Sequence, residues 1–483
     1  MRIAFVSIYP CVNPPLGLAS LATYIREKTG FNDIKIIDKN FEDPVKSTME
    51  YSPDIIGVSA MTIYYDSAVK YATAIKKELK VPIITGGVHI STLPSSLKKC
   101  FDIAIIGEGE QTMLELFLLY KEKGRFDKED LRNIDGIAFY DNGKLVMTNR
   151  RNPIEPLDNI PIVDRRFLNK GYYTKKKLFA KEYYGIEDTL ITSRGCPYNC
   201  VFCSTSAFWG SKVRFNSAER IVEEIKQSRK LLNVDHFNIV DDTFGVNKER
   251  LRKIIDDLKK AGLLGKISYS CHIRTSIIDD DLLKLLKEMN MVTLNFGFES
   301  GSNRVLKFLK NPPTTVEQNK NALLKAKKYG FRVYGSFIIG SPTETIEEMK
   351  ATLKFIEFAV KHKIDYIFVF PLKPFPSTKV WEIAKQRGIV SDDMNFEKLG
   401  IFVEGLYDKN EPLLIDKTID REEYKKIYEK AFSYAKKRVM KMFFGYLAHH
   451  PILTLKNDLK NPFLLLKKYL KSNRDAYDHQ ELV

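Results

Sequence analysis

Twice along this chain, short apolar runs rich in β-branched residues alternate with amphipathic segments of helical length. In the first 120 residues the runs fall at 3–8, 34–37, 55–59, 82–85 and 103–106, with helical periodicity at 16–28, 65–79 and 112–120. A continuous apolar run marks a strand buried on both faces, and strand–helix alternation makes the sheet parallel with helices on each side. Such sheets bind ligands beyond the carboxyl ends of their strands. That rule points to the loops at 9–15, 60–64, 86–94 and 107–110.

From position 189 the alternation resumes, with strands expected at 189–192, 237–240, 267–270, 293–298, 333–339 and 366–370. Six strand–helix units form an open or partial (β/α) barrel, whose working loops gather at the C-terminal strand ends. Between the two series, a period of two around Asp141-Asn142-Gly143 marks a hairpin over 135–148, and the Pro- and Asp-bearing stretch 153–164 reads as a linker. After 388 the strand pattern stops. Residues 421–443 read as one helix and 444–470 as a second, broken at Pro451 and Pro462.

A length of 483 residues exceeds one ordinary domain, and 44% apolar content suffices for two or three cores. The opening apolar run ends at Pro10, too soon for a signal peptide, and no stretch nears the ~20 apolar residues of a membrane span. A soluble or peripheral, cytoplasmic protein is expected. The formal charge of +16 suggests an anionic partner: nucleic acid, phosphorylated substrate or lipid headgroups. The plainer alternative is Lys and Glu spread over solvated helix faces, as at 248–260 and 319–328.

Half of the six cysteines lie in one short stretch after the first barrel strand, Cys196, Cys200 and Cys203, spaced C-x3-C-x2-C. That is no disulfide framework and fits a reducing compartment. Three thiolates on one loop hold three irons of a four-iron, four-sulfur cluster and leave the fourth iron open to a small ligand. The alternative, a structural zinc loop, pairs cysteines two by two and needs a fourth ligand. Cys11, Cys100 and Cys271 are scattered; a lone cysteine is most often a small buried hydrophobe.

With the aromatic Phe202 before its last cysteine, this loop resembles that of the radical S-adenosylmethionine (SAM) enzymes. The resemblance implies a [4Fe-4S] cluster on Cys196, Cys200 and Cys203, and SAM contacts at Phe202, Asp241, Arg274 and Glu299, with Asp242, Ser300 and Ser341 at the same strand ends. It also implies reductive cleavage of SAM to a 5′-deoxyadenosyl radical, with the electron from an external ferredoxin- or flavodoxin-type donor.

The first series resembles the cobalamin-binding domain that precedes many radical SAM domains, through Pro14-Pro15-Leu16-Gly17, Asp54-Ile55-Ile56-Gly57-Val58-Ser59, Thr85-Gly86-Gly87-Val88-His89 and Ile106-Gly107-Glu108-Gly109-Glu110. Small residues at strand ends let backbone approach a broad, flat ring system. Cofactor contacts are expected at Gly17, Ser59, Thr62, Gly86, Gly87, His89, Gly107 and Glu108. The D-x-H-x-x-G motif that supplies an axial histidine in some cobalamin proteins is absent, so His89 is not assigned to cobalt. The expected α/β architecture is thus a flavodoxin-like, cobalamin-binding domain at 1–134, a hairpin and linker at 135–185, a partial (β/α)6 radical SAM barrel at 186–388 and a helical region at 389–483.

The implied function is cobalamin-dependent methylation of an unactivated carbon, with cyclisation or rearrangement as alternatives on the same architecture. tRNA methylthiolation calls for three further cysteines in the first domain, which has only Cys11 and Cys100. A cluster-bearing sensor without turnover needs no SAM pocket. The substrate is a small molecule or a lipid, and nucleic acid is disfavoured. The basic, apolar stretches 440–447 and 463–470 suit either peripheral membrane contact or a helical cap on the barrel.

Overall fold

The computed structural model describes residues 1–10, 13–174, 185–400, 414–416 and 418–449, so Cys11 and the stretch 463–470 lie outside the described residues. The chain divides into two compact units. The first comprises Met1–Thr174, Cys203–Arg220 and Pro374–Ile401; the second Lys175–Phe202, Ile221–Lys373 and Phe402–Val483.

In the first unit, strands β1 (Ile3–Ser7), β2 (Ile34–Asp38), β3 (Ile55–Ser59), β4 (Ile83–Gly86) and β5 (Ile103–Ile105) pair in parallel. Their order, β2-β1-β3-β4-β5, is the flavodoxin-like one. Ile3, Phe5, Ile55, Ile84 and Ile103 join a core with Leu18, Ile25, Leu116 and Phe117 of helices Leu16–Thr29 and Glu110–Lys123. The alternate residues Ala4, Val6, Ile56 and Val58 are equally buried, so the opposite sheet face is covered too. Both faces covered is what the unbroken apolar runs required.

The hairpin, expected between the domains, instead continues this sheet: β6 (Ile137–Asp141) pairs antiparallel with β5, and β7 (Lys144–Met147) forms the edge. The stretch after the last barrel strand also belongs with this unit. Asp66 Oδ2 accepts from the backbone N–H of Phe396 at 2.6 Å, and Ser377 Oγ donates to Thr92 O at 2.6 Å. A two-residue strand, Arg214–Phe215, lies in the Cys203–Arg220 segment.

Among the described residues, the second unit holds six parallel strands. They are β8 (Glu187–Leu190), β11 (His236–Ile239), β12 (Ser268–Ile273), β13 (Met291–Glu299), β14 (Arg332–Ile339) and β15 (Tyr366–Pro371), paired in chain order. The labels β9 and β10 are the two-residue strands Ser193–Arg194 and Arg214–Phe215. The barrel is open, since β8 and β15 are sheet edges.

Helices return between the strands with strong start signals. Thr315/Gln318 and Thr345/Glu348 form complete capping boxes, each worth about 1 kcal/mol. Phe298, Phe337 and Phe355 meet with ring centroids 5.3–5.5 Å apart and wedge helix Ile346–Lys361 onto the sheet. The C-terminal helix runs unbroken from Arg421 to His449, two residues before Pro451, rather than splitting near 443. Ile427, Tyr428, Ala431 and Ala435 are buried, and Tyr428 Oη donates to Val369 O of β15 at 3.0 Å. That helix is a cap on the barrel. Of 441–449 only the helical backbone is described, and no described helix is long and apolar enough to cross a membrane.

Candidate functional site: a braced cysteine loop and a bare sheet edge

The cysteine loop follows β8. Cys196 and Cys200 fall in the second unit, and Cys203 opens a segment grouped with the first. All three cysteines are partly exposed. The loop is held from beneath by Asp241, at the end of β11. Its carboxylate accepts from the backbone N–H groups of Thr192 and Ser193 (2.6 and 3.2 Å) and from both their hydroxyls. Burial pushes its pKa up, opposed by those hydrogen bonds. Asp241, expected at SAM, is therefore committed to bracing the strand end. Asp242 accepts the Gly195 N–H at 3.1 Å and braces the next step.

A second brace was invisible in the sequence. Residues Leu309 and Asn311 accept the backbone N–H groups of Val201 and Asn199, both at 3.0 Å, so the segment after helix Asn303–Leu309 runs beside the cysteine loop as a strap. Arg274, expected at SAM, instead joins strap and loop. It donates to Pro312 O and Ser276 Oγ, lies over the Tyr198 ring at 4.0 Å and places Nη1 3.7 Å from Cys200 Sγ.

Glu299 has φ +60° at the end of β13 and pairs with Lys310 at 3.2 Å, both side chains almost fully buried. Such backbone in a non-glycine residue costs about 1 kcal/mol or more and persists only where surroundings hold it. Glu299 too is engaged within the protein. Ser300 Oγ sits 3.2 Å from Thr352 Oγ1 and accepts from Ser302 N–H, a packing role. It accompanies Gly301, where a Cβ would fall 2.3 Å from Ala351 O, so only glycine admits helix Ile346–Lys361 this closely.

Ser341 differs from the other expected SAM contacts. Its hydroxyl is buried with no partner, as are Glu344 Oε1, Thr243 Oγ1 and Asn295 Oδ1. Buried polar atoms are almost always paired, so these orphans on strands or strand ends are where a polar ligand fits. Glu344 Oε2 accepts from the N–H groups of Gly340 and Ser341. Burial nevertheless lifts its pKa to about 7. His272 shares the inward face of β12 with Ser270; its imidazole keeps some exposed surface but sits deep, and loss of bulk water lowers its pKa to about 4. Asn295 and His272 were not singled out as contacts; strand alternation was the only signal for either. Phe202 remains partly exposed on the loop.

The first unit's expected contacts do all lie at carboxyl ends of β3, β4 and β5 or at the start of the helix after β1, but they behave differently. Ser59 faces Gly86 in register, and Ala60 N–H donates to Gly86 O at 2.9 Å. Gly87 has φ +104°, and a Cβ there would meet Ala60 O at 2.7 Å, so the two loops touch through backbone. Thr62 is buried in the turn Thr62–Tyr64. At Gly17 and Gly107 an added Cβ would meet nothing within 4 Å.

Two expected contacts are withdrawn into the protein. His89 is fully buried, with Nε2 3.0 Å from Ser96 Oγ and its ring 4.0 and 4.4 Å from Tyr65 and Phe396. Burial lowers its pKa to about 3. It is not placed to reach a cofactor. Glu108 is locked in a buried ion pair with Arg214.

The donor set fits the implied cofactors. Three partly exposed thiols on a braced loop suit a cluster taking one thiolate per iron. Among the described residues no three His, Cys, Asp or Glu side chains converge on a single-ion site; a cluster spreads its ligands and needs no such point. Cys271 is buried with its thiol pushed well above the usual range, and burial raises that of Cys100, so neither is a ready ligand. The open backbone at Gly17 and Gly107 suits a flat macrocycle, with no axial imidazole from His89.

The comparisons agree with that geometry. Residues 190–356 match the radical SAM superfamily and residues 4–117 the B12 binding domain. An uncharacterized methyltransferase of Pyrococcus horikoshii is 35% identical over 87% of this chain and 87% of its own length. The cytidylyl-2-hydroxyethylphosphonate methyltransferase of Streptomyces wedmorensis is 28% identical over 82% and 83%. The fold is shared with the radical SAM methyltransferase TsrM of Kitasatospora setae, solved with cobalamin and a [4Fe-4S] cluster, at TM-score 0.68 and 20% identity over 81% of this chain and 79% of that one. With a braced three-cysteine loop, a flavodoxin-like sheet with open glycine edges and these matches, the chain belongs to the cobalamin-binding radical SAM enzymes.

Proposed function

We propose that this enzyme transfers a methyl group to an unactivated carbon of a small organic molecule. The observation that carries the reading is the union, in one chain, of the braced cysteine loop with the glycine-edged sheet, matched by methyltransferases over most of both lengths. When bound, the cluster supplies the electron that cleaves SAM, and the corrinoid supplies the methyl carrier. Cys196, Cys200 and Cys203 hold the irons, while Asp241, Asp242 and the strap keep the loop in place. Thr243 and Ser341 offer SAM buried hydroxyls, and Asn295 its amide oxygen, that lack a partner in the fold. Gly17 and Gly107 admit the macrocycle. A ferredoxin- or flavodoxin-type protein delivers the electron.

The reading of lysines as solvated helix-face charges is supported where they pair. Lysines at 123, 248 and 325 are paired on helix surfaces with Asp130, with Asp279 and Asp281, and with Asp280. The C-terminal helix packs through its buried face on the barrel, which supports a cap over a membrane anchor and a small molecule over a lipid.

The test is anaerobic reconstitution with iron, sulfide, SAM and hydroxocobalamin. Methyl transfer yields S-adenosylhomocysteine and 5′-deoxyadenosine together in a substrate-bearing extract, with a methylated product by mass spectrometry. 5′-Deoxyadenosine alone assigns the enzyme to cyclisation or rearrangement.

A further inference from the structure

We propose that Arg274 raises the reduction potential of the cluster in the cysteine loop by holding an uncompensated cation against the Cys200 sulfur. This rests on the reading that the loop carries the cluster. Arg274 is only 8% exposed and has no carboxylate partner among the described residues. A buried cation is costly unless an anion faces it. The group facing it is Cys200 Sγ, 3.7 Å from Nη1. A cluster ligated by three thiolates is that anion.

Nearby charge does not serve instead. The buried Lys310 is neutralised by Glu299 at 3.2 Å and donates to Gly297 O. Arg274, by contrast, spends its other nitrogens on neutral acceptors, Pro312 O and Ser276 Oγ, and rests on the neutral face of Tyr198. Each contact fixes orientation without cancelling charge. The strap that supplies Pro312 also binds Asn199 and Val201 on either side of Cys200, so sulfur and guanidinium are held by the same segment. Reduction adds an electron to the cluster. A cation in a poorly screened setting, donating an N–H to a ligating sulfur, favours the reduced form.

The test compares wild type with R274Q and R274K, each reconstituted anaerobically with iron and sulfide. EPR-monitored titration reads the midpoint potential, equilibrium dialysis reads SAM affinity, and thermal melting reads the fold. The expected result is a more negative potential in R274Q and a smaller shift in R274K, with SAM affinity unchanged. Cleavage of SAM by R274Q then fails with reduced flavodoxin and recovers with titanium(III) citrate. An R274Q potential equal to wild type overturns the proposal; if SAM affinity falls at the same time, Arg274 is a SAM ligand. Should R274Q take up no cluster, R274K decides, and an unmoved potential there overturns the proposal equally. Absence of a cluster from wild type itself would sink the parent reading instead.

Discussion

The two units end their parallel strands in similar glycine-bearing loops but use them oppositely. In the first, the charged and titratable side chains are turned inward: His89 under Tyr65 and Phe396, Glu108 onto Arg214. What remains at the rim is open backbone at Gly17 and Gly107. In the second, Asp241, Asp242 and Arg274 all point at the cysteine loop and hold it. The difference follows from the cofactors' chemistry. A broad organic macrocycle is bound by surface and needs room, whereas an inorganic cluster is bound by thiolates that must be held in position before it arrives.

The largest effect separates the units by cofactor. Replacing Cys200 by Ala should abolish cluster absorbance and 5′-deoxyadenosine formation while corrinoid binding to the same protein persists. Loss of both would break the division of labour.

Acid should expose the first unit. His89 has a pKa of about 3 in the fold against 6.5 when free. A lowered pKa means stability present above pH 6.5 and lost as pH falls toward 3, up to about 5 kcal/mol. Denaturant unfolding from pH 7 to pH 4 should show the first unit weakening, and H89F should flatten that slope.

Glu344 in the second unit slopes the other way. Its pKa is raised from 4.5 to about 7, so its contribution is full below pH 4.5 and is lost as pH rises through 7, at most about 3 kcal/mol. E344Q should remove this pH dependence from the barrel's unfolding and leave the first unit's untouched. Next in size, D241A leaves four donors without their acceptor and should cost about 2–3 kcal/mol. Iron release to a chelator, measured against wild type, should quicken accordingly.

The smallest effect is at the open rim. Gly17 lies in the first turn of a helix with empty space around it, so G17L should melt no lower than wild type. Hydroxocobalamin affinity should nonetheless fall about tenfold, a loss of about 1.4 kcal/mol. Unchanged affinity would move the macrocycle away from this edge.

Much of this was legible from local pattern. Each of the six barrel strands lies within three residues of the expected position, because apolar runs and helical periods are properties of neighbouring residues. The cysteine spacing announced its chemistry for the same reason. The hairpin was legible as a hairpin, but its attachment to β5 was not, since register with a distant strand leaves no local trace. The return of Pro374–Ile401 to the first unit was equally silent.

Sequence alone determined the two α/β units, the three-cysteine loop and the family resemblance, all of which depend on spacing along the chain. Tertiary structure alone decided the employment of each strand-end residue. Asp241, Arg274 and Glu299 read as ligand contacts until their partners at 192–193, 198–200, 310 and 312 were seen to claim them. A charge at a strand end is free for a ligand only if nothing in the fold satisfies it first, and that is settled by distances in space between residues far apart in the chain.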